Sequence, residues 1–172
     1  MTMEIQNQES ISAAARIIVQ SRYTIALVGA GLSVGSGIPT FRGAGGLWTK
    51  LGEPSNNGYE NFLADPKVWW DQNLNAKIDP ERTKFREAIE KAKPNPGHLA
   101  LVDLEKICVL KHQITQNIDN LHYVAGSKKI TEIHGNRTKL RCVGCDMRWH
   151  RDEFDRITLD WKQTLPPKCN TC

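Results

Sequence analysis

The apolar positions change their period several times along the chain, and each change marks an element. "SISAAARIIVQSR" repeats apolar residues at helical spacing after Ser10 or Ser12, either one a fitting N-cap, and predicts a helix. "TIALVG" is short and continuously apolar, and predicts a buried strand. Residues 31–60 have no period and are rich in Gly, Pro, Ser and Asn, which predicts a long loop. A loop of that length inside a compact domain usually carries function. "NFLADPKVWWDQNLNAKI" predicts two short helices broken near Pro66. "ERTKFREAIEKAK" predicts an amphipathic helix ended by Pro94, and "PNPGHLALVDLEKI" another that begins after Pro96. "CVLKHQITQN" predicts a strand, "NLHYVAG" a short helix ending at Gly126, and "KITEIHG" a further strand. Strands that alternate with helices predict an α/β fold built on a parallel sheet. From Lys139 the segments become short and punctuated by cysteine.

Composition narrows the class. A chain of 172 residues can bury a core, and 40% hydrophobic with 24% charged residues is ordinary for a soluble globular protein. The net charge of +4 is small and evenly spread, so nucleic acid is not a favoured partner. "MTMEIQNQES" lacks the apolar core of a secretory signal. No apolar run approaches a bilayer span, and the best one is cut by Gly29, Gly31, Gly35 and Gly37, so no membrane partner is expected.

Of five cysteines, four form Cys142-x-x-Cys145 and Cys169-x-x-Cys172, leaving Cys108. Without an export signal these pairs read as metal ligands in a reducing compartment, and the cytoplasm is the expected location. Each Cys-x-x-Cys sets two thiolates on one tight turn whose backbone N–H groups can reach sulfur. Two facing turns make the tetrahedral site of Zn²⁺, and four sulfurs leave no open position for substrate, so the zinc is expected to be structural. Cys108 sits in an apolar run and is expected to be a buried small hydrophobe.

"GAG" at residues 29–31 follows the first strand as in a dinucleotide-binding turn, but the third glycine falls at Gly35, with Val34 where the fingerprint needs glycine. Glu53 stands at about the right distance for a ribose acid, yet not at the end of a second strand. The backbone here still offers N–H donors to a pyrophosphate, and Arg42 offers a charge-assisted contact. Two more predicted strands end in polar residues: Gln116, Asn117 and Asp119 after one, His134 and Gly135 after the other. Asp119 also suits a plain helix cap. In an open parallel sheet, ligands lie outside the carboxyl ends of the strands, and histidine suits proton transfer near neutral pH.

"GAGLSVGSGIPTFRG", "TQNID", "HGN" and the two Cys-x-x-Cys pairs, in this order, resemble the sirtuin family of NAD-dependent protein deacylases. The resemblance covers about residues 10 to 172. It implies a Rossmann-like NAD-binding domain, residues 10–138, with the cofactor-binding loop at about 31–60 and a helical segment at about 61–93. It implies a zinc-ribbon module at 139–172. NAD would be the co-substrate and an acyl-lysine protein or peptide the partner, with nicotinamide and O-acyl-ADP-ribose as products. By the same resemblance His134 is the general base. Gln116, Asn117 and Asp119 lie around the ribose and the nicotinamide. Ala30, Ser33, Ile38 and Pro39 form the nicotinamide end, and Gly29 and Gly31 lie under the pyrophosphate. Phe41 shields the reacting carbon, Arg42 is the loop arginine, and Trp48 is counted among the cofactor-binding residues. Cys142, Cys145, Cys169 and Cys172 are the zinc ligands.

The chain also departs from the family pattern. Thr40 stands where many members have Asp. The Tyr-x-x-Arg pair that reads acidic acyl groups aligns, counted from Trp69, with Gln72 and Asn75, so a neutral acyl group such as acetyl is expected. The sequence stops at the fourth cysteine, before the further Rossmann strands. The sheet is therefore expected to be incomplete on its C-terminal side, as a fragment or with a separate partner chain, and to leave an open edge and an apolar face. Two other classes stay open. One is an NAD-consuming hydrolase or ADP-ribosyltransferase. The other is a zinc-ribbon binding module, with Lys139, Arg141, Arg148, His150 and Arg151 near the cysteines but interrupted by Asp146, Asp152 and Glu153.

Overall fold

The computed structural model describes residues 3–55, 57–75, 79–157 and 163–172. In chain order its elements are α1 (Met3–Gln20), β1 (Thr24–Val28), α2 (Gly31–Val34), α3 (Leu47–Leu51), α4 (Gly58–Ala64), α5 (Pro66–Asn75), α6 (Pro80–Lys91) and α7 (Pro96–Lys106). They continue as β2 (Leu110–Thr115), α8 (Leu121–Ala125), β3 (Ile130–Glu132), β4 (Lys139–Arg141), β5 (Arg148–His150) and α9 (Arg151–Ile157).

The sheet is parallel, in the order β1-β2-β3. Its central strand buries Leu110, Gln113 and Thr115. Gln113 donates through Nε2 to Ser127 Oγ at 3.0 Å, while its Oε1 has no partner among the described residues. The register pairs Val28 with Thr115 and Thr115 with Glu132, so all three strands end level. The loops that leave them emerge at one edge, and that edge carries the polar residues singled out in the sequence.

The helices are set by their caps. Asp79 accepts from Glu81 N at 2.8 Å, with Pro80 opening α6. Asn95 accepts from Gly97 N at 2.9 Å, and His98 Nδ1 takes the Asn95 N–H at 3.3 Å, closing a capping box at the start of α7. Ile38, Ile89 and Leu121 form one buried cluster, joining the loop after β1 to α6 and α8. Trp149 and Phe154 form a second inside the cysteine-rich segment, where β4 and β5 pair antiparallel. Trp70 and Leu74 of α5 pack against it.

Four expectations are corrected. The first helix begins at Met3, not at Ser10 or Ser12, because the polar run before Ser10 keeps helix-compatible residues while showing no apolar period. The first strand is buried only in part: Val28 is buried, but Ile25 and Leu27, two residues apart and so on one face, are 52% and 69% exposed because that face is left uncovered. The segment 31–60 is not all loop. It holds α2, α3 and the start of α4, each too short to show a period. Cys108 is exposed, not buried, in a tight turn at φ 61° between α7 and β2. No described helix is long and apolar enough to cross a membrane.

Candidate functional site

After β1 the chain turns through Gly29 and Ala30 into α2, which places Ser33 beneath the ends of the strands. Ser33 Oγ donates to Asp119 Oδ2 at 2.6 Å. Asn117 Nδ2 donates to Gly29 O at 3.0 Å and reaches Ser33 Oγ at 3.2 Å. Asp119 Oδ1 accepts from Leu121 N at 2.9 Å, so this carboxylate caps α8 and holds Ser33 at once. Ser33 is buried, with 1% of its surface exposed. These three side chains come from two strand ends and form one connected polar floor.

Above that floor lies a small pocket walled by Ala30, Ile38, Pro39, Phe41, Phe85 and Ile118. A cavity of about 540 Å³ adjoins it, and there Gly29, Arg42, Trp48, Gln116 and His134 join Ala30, Phe41 and Asn117. Phe41 packs at a tilt against Trp48 at 4.7 Å and against Phe85 at 5.1 Å between ring centres. Gly31 opens α2 and is not among this cavity's walls. Gly46 permits the return of the loop: a Cβ there would lie 2.7 Å from Phe41 O.

His134 stands two residues beyond β3, with Gly135 at φ 77° letting the chain reverse beside it. Its Nδ1 is 3.1 Å from Gln116 O. The turn is clamped from behind: Asn136 Nδ2 donates to Glu132 Oε1, Asn136 Oδ1 accepts from Thr138 N at 2.9 Å, and Lys139 Nζ donates to Glu132 Oε2 at 2.7 Å.

Arg42 is exposed, lies 4.8 Å over the Trp48 ring, and forks onto Glu53 at 2.6 and 3.3 Å. That hydrogen bond lowers the Glu53 carboxyl below its usual range. Glu53 is therefore the partner of the loop arginine, not a ribose acid at a strand end. Gln72 is exposed on α5, and the side chain of Asn75 lies outside the described residues.

The four paired cysteines converge, with all their sulfurs within 4.8 Å of one another. The Cys142–Cys172 and Cys145–Cys169 sulfurs are 3.7 Å apart. A tetrahedral shell at a Zn–S distance near 2.3 Å has edges of about 3.8 Å. Gly144 N donates to Cys142 Sγ and Thr171 N to Cys169 Sγ, both at 3.3 Å. Sulfur spacing and donor chemistry both fit one zinc.

Several site residues were not singled out from sequence. Ile118 lines both the small pocket and the His134 cavity. Asn95 Nδ2 donates to Leu32 O at 2.7 Å and Ser36 Oγ at 3.0 Å, tying α7 to the turn after β1. A Cβ on residue 35 would stand 3.1 Å from that amide, which gives the displaced third glycine a physical role. The signal available was Asn95-Pro96 with His98 three residues after the asparagine, a capping box that also reaches a neighbour.

The family model described as the Sir2 family matches residues 29–172. An NAD-dependent protein deacylase of Pyrococcus furiosus is 44% identical over 159 residues, covering 91% of this chain and 60% of its own. One of Thermococcus sibiricus is 44% identical over 163 residues, covering 94% of this chain and 60% of its own. A solved structure described as Sir2 with a p53 peptide and NAD+ aligns at TM-score 0.61 and 30% identity, covering 93% of this chain and 59% of that one. The chain spans about 60% of the length of the curated relatives it matches.

Proposed function

The chain belongs to the Sir2 family, and from that premise we propose that it serves NAD-dependent deacylation of protein lysines. The observation that carries the reading is the level alignment of three strand ends. It brings the Ser33–Asn117–Asp119 floor and the His134 imidazole around one aromatic-walled space. The relatives named above as NAD-dependent deacylases support the same reading.

The residues present fit NAD. The small pocket has a polar floor for a carboxamide and apolar walls that exclude water. The adjoining cavity, about 540 Å³, has room for the ribose side and carries an imidazole and a guanidinium. When bound, NAD supplies the electrophilic ribose carbon and nicotinamide as the leaving group, and the acyl group passes from lysine to the ADP-ribose.

In this reading Asn117, Asp119 and Ser33 orient the carboxamide, with Ala30, Ile38 and Pro39 as the wall. Phe41 and Trp48 keep water from the reacting carbon. Gly29 and Arg42 face the phosphates, for which Arg42 exchanges its Glu53 partner. Gln116 contacts the ribose and fixes the ring of His134, whose Nε2 takes a proton from a ribose hydroxyl. Cys142, Cys145, Cys169 and Cys172 hold zinc as structure, within a module at 139–172 joined to the NAD-binding part at 10–138. A completing segment or partner belongs over the uncovered face of β1, a reading supported by the exposure of Ile25 and Leu27. Thiols that must stay reduced support the cytoplasm as the place of action.

The test is to incubate the zinc-loaded protein with NAD and an acyl-lysine peptide, following both products. Nicotinamide release that needs the peptide and matches its deacylation one to one is expected. Release without peptide would move the reading to an NAD-consuming hydrolase.

A further inference from the structure

Among the described residues the His134 ring makes one hydrogen bond, from Nδ1 to Gln116 O at 3.1 Å, and the side chain is exposed. Packing on its faces does little to aim it, so the turn that carries it must. That turn, residues 133–138, is laced to the loop after β2 at two further points. Arg137 N donates to Ile118 O at 3.1 Å, and Asn136 Nδ2 donates to Asn120 Oδ1 at 2.8 Å. The loop so gripped, residues 116–120, is the one that carries Asn117 and Asp119 of the polar floor.

Any residue can supply the backbone link of Arg137, so Asn136 is where the sequence decides. Its amide uses all its capacity. One N–H goes to Asn120 Oδ1 and the other to Glu132 Oε1, while Oδ1 accepts from Thr138 N at 2.9 Å and from Thr138 Oγ1 at 2.7 Å. A flipped amide would set its oxygen against two acceptors, which fixes its orientation. Glu132 is half-buried, and its second oxygen is held by Lys139 Nζ at 2.7 Å. The same ammonium lies 4.2 Å over the Tyr123 ring, so the support behind Asn136 is itself fixed. Reversal of the chain alone needs none of this, since Gly135 at φ 77° already provides it.

We propose that Asn136 is a positioning residue for the deacylation base: it ties the turn that carries His134 to the loop that carries Asn117 and Asp119, and so sets the place of the imidazole relative to the polar floor. The inference rests on the deacylase reading above. Asn136 lines neither the small pocket nor the His134 cavity, so it acts through His134. A misplacement of a reacting group by about 1 Å can cost about 10²-fold in rate.

The experiment reads the imidazole directly and then its chemistry, in the full zinc-loaded chain labelled with 15N-histidine. In the parent protein the His134 ring is expected as the Nδ1–H tautomer, because Gln116 O can only accept. Its signal among the five histidines is assigned by its absence from His134→Gln. Asn136→Ala should move this ring towards the tautomer mixture of free imidazole, since the tautomer is set by the bond that Nδ1 makes. Asn120→Gly removes the same link from the other loop, and glycine suits the φ of 70° found there. It should move the ring in the same direction. Deacylation should fall about tenfold or more in each variant, and nicotinamide exchange clearly less. In the His134→Ala background, Asn136→Ala should cost nothing further, as for a residue that acts through another. Zinc content and melting curves verify that the variants fold, and if Asn136→Ala does not, Asn120→Gly decides.

An unmoved His134 tautomer in either folded variant overturns the proposal. So does an Asn136→Ala loss that adds to that of His134→Ala, or one that strikes exchange as hard as deacylation. Peptide-dependent nicotinamide release by the parent protein keeps the two readings apart. Release with an unmoved tautomer removes the positioning role and leaves the deacylase. A moved tautomer in a protein that releases no nicotinamide removes the deacylase and leaves Asn136 as the residue that holds the imidazole.

Discussion

His134 Nδ1 stands 3.1 Å from the carbonyl oxygen of Gln116. A carbonyl only accepts, so the neutral ring carries its proton on Nδ1 and leaves Nε2 as a lone-pair acceptor in the cavity. Because Gln116 follows β2 and His134 follows β3, the level register of the two strands sets the tautomer.

His134→Ala is expected to lose deacylation by about 10²–10⁴-fold, the usual worth of a general base. Nicotinamide exchange, which precedes removal of the ribose proton, should fall less. His134 is exposed, so the variant should keep its zinc and melting temperature. Assaying both reactions on one preparation decides the matter: equal loss in the two, or near-full deacylation, removes the base from His134.

Asp119 carries two hydrogen bonds with separable meanings. One caps α8 through Leu121 N, and the other holds Ser33 in the pocket floor. Asp119→Asn keeps an oxygen for the cap and removes the charge. It should melt close to the parent yet lose nicotinamide release. Asp119→Ala also leaves Leu121 N and Ser33 without their acceptor and should cost about 1 kcal/mol in addition. If the Asn variant keeps full release, Asp119 is a cap and nothing more.

The legible parts of the molecule were those that repeat or that must meet a metal. α6 and α7 announced themselves by apolar spacing and by Pro94 and Pro96 between them, and the four cysteines by their pairs. What stayed hidden depends on contacts between distant segments. Val28, Thr115 and Glu132 end level only because two parallel registers agree, and no local pattern encodes that. Ile25 and Leu27 read as buried since apolar runs usually are, but burial needs a neighbour on that side of β1. Asn136 looks like an ordinary polar turn residue until Asn120 arrives from the loop after β2.

Metal removal tests the second core. Trp149 and Phe154 are packed by Leu140, Cys142 and Cys169, so the cluster depends on the cysteine turns. Chelation, or Cys142→Ser, should expose Trp149 and red-shift tryptophan emission, because metal binding there supplies folding free energy. The parallel sheet shares no strand with this hairpin and should keep its helical circular dichroism. Elemental analysis should find one zinc per chain, and a well-folded protein with none would refute the site.

Two histidines, His98 and His122, take no part in the proposed chemistry and are buried against each other. His98 and His122 are 0% and 3% exposed, with ring centres 5.2 Å apart. His98 Nδ1 takes the Asn95 N–H, while His98 Nε2 and both nitrogens of His122 have no partner. Burial lowers the pKa of both. The neighbouring His98 lowers that of His122 further, while Asp119 opposes the shift at each and Glu132 at His122. The native protein therefore binds these protons more weakly than the unfolded chain, where histidine titrates near 6.5. Above about pH 6.5 the pair is neutral in both states and adds no pH dependence. As pH falls below it the unfolded chain takes up protons that the native one refuses, and stability is lost until pH drops beneath the lowered native values. His122→Leu removes a titrating group and an unpartnered polar side chain together. Its Tm should fall less steeply than the parent's between about pH 6.5 and pH 5, and at about pH 8 it should be at least as stable. Acid also strips thiolate sites, but both proteins share that loss, so the difference between the two curves reports the imidazoles. Parallel curves across the window would show that the buried pair does not govern acid stability.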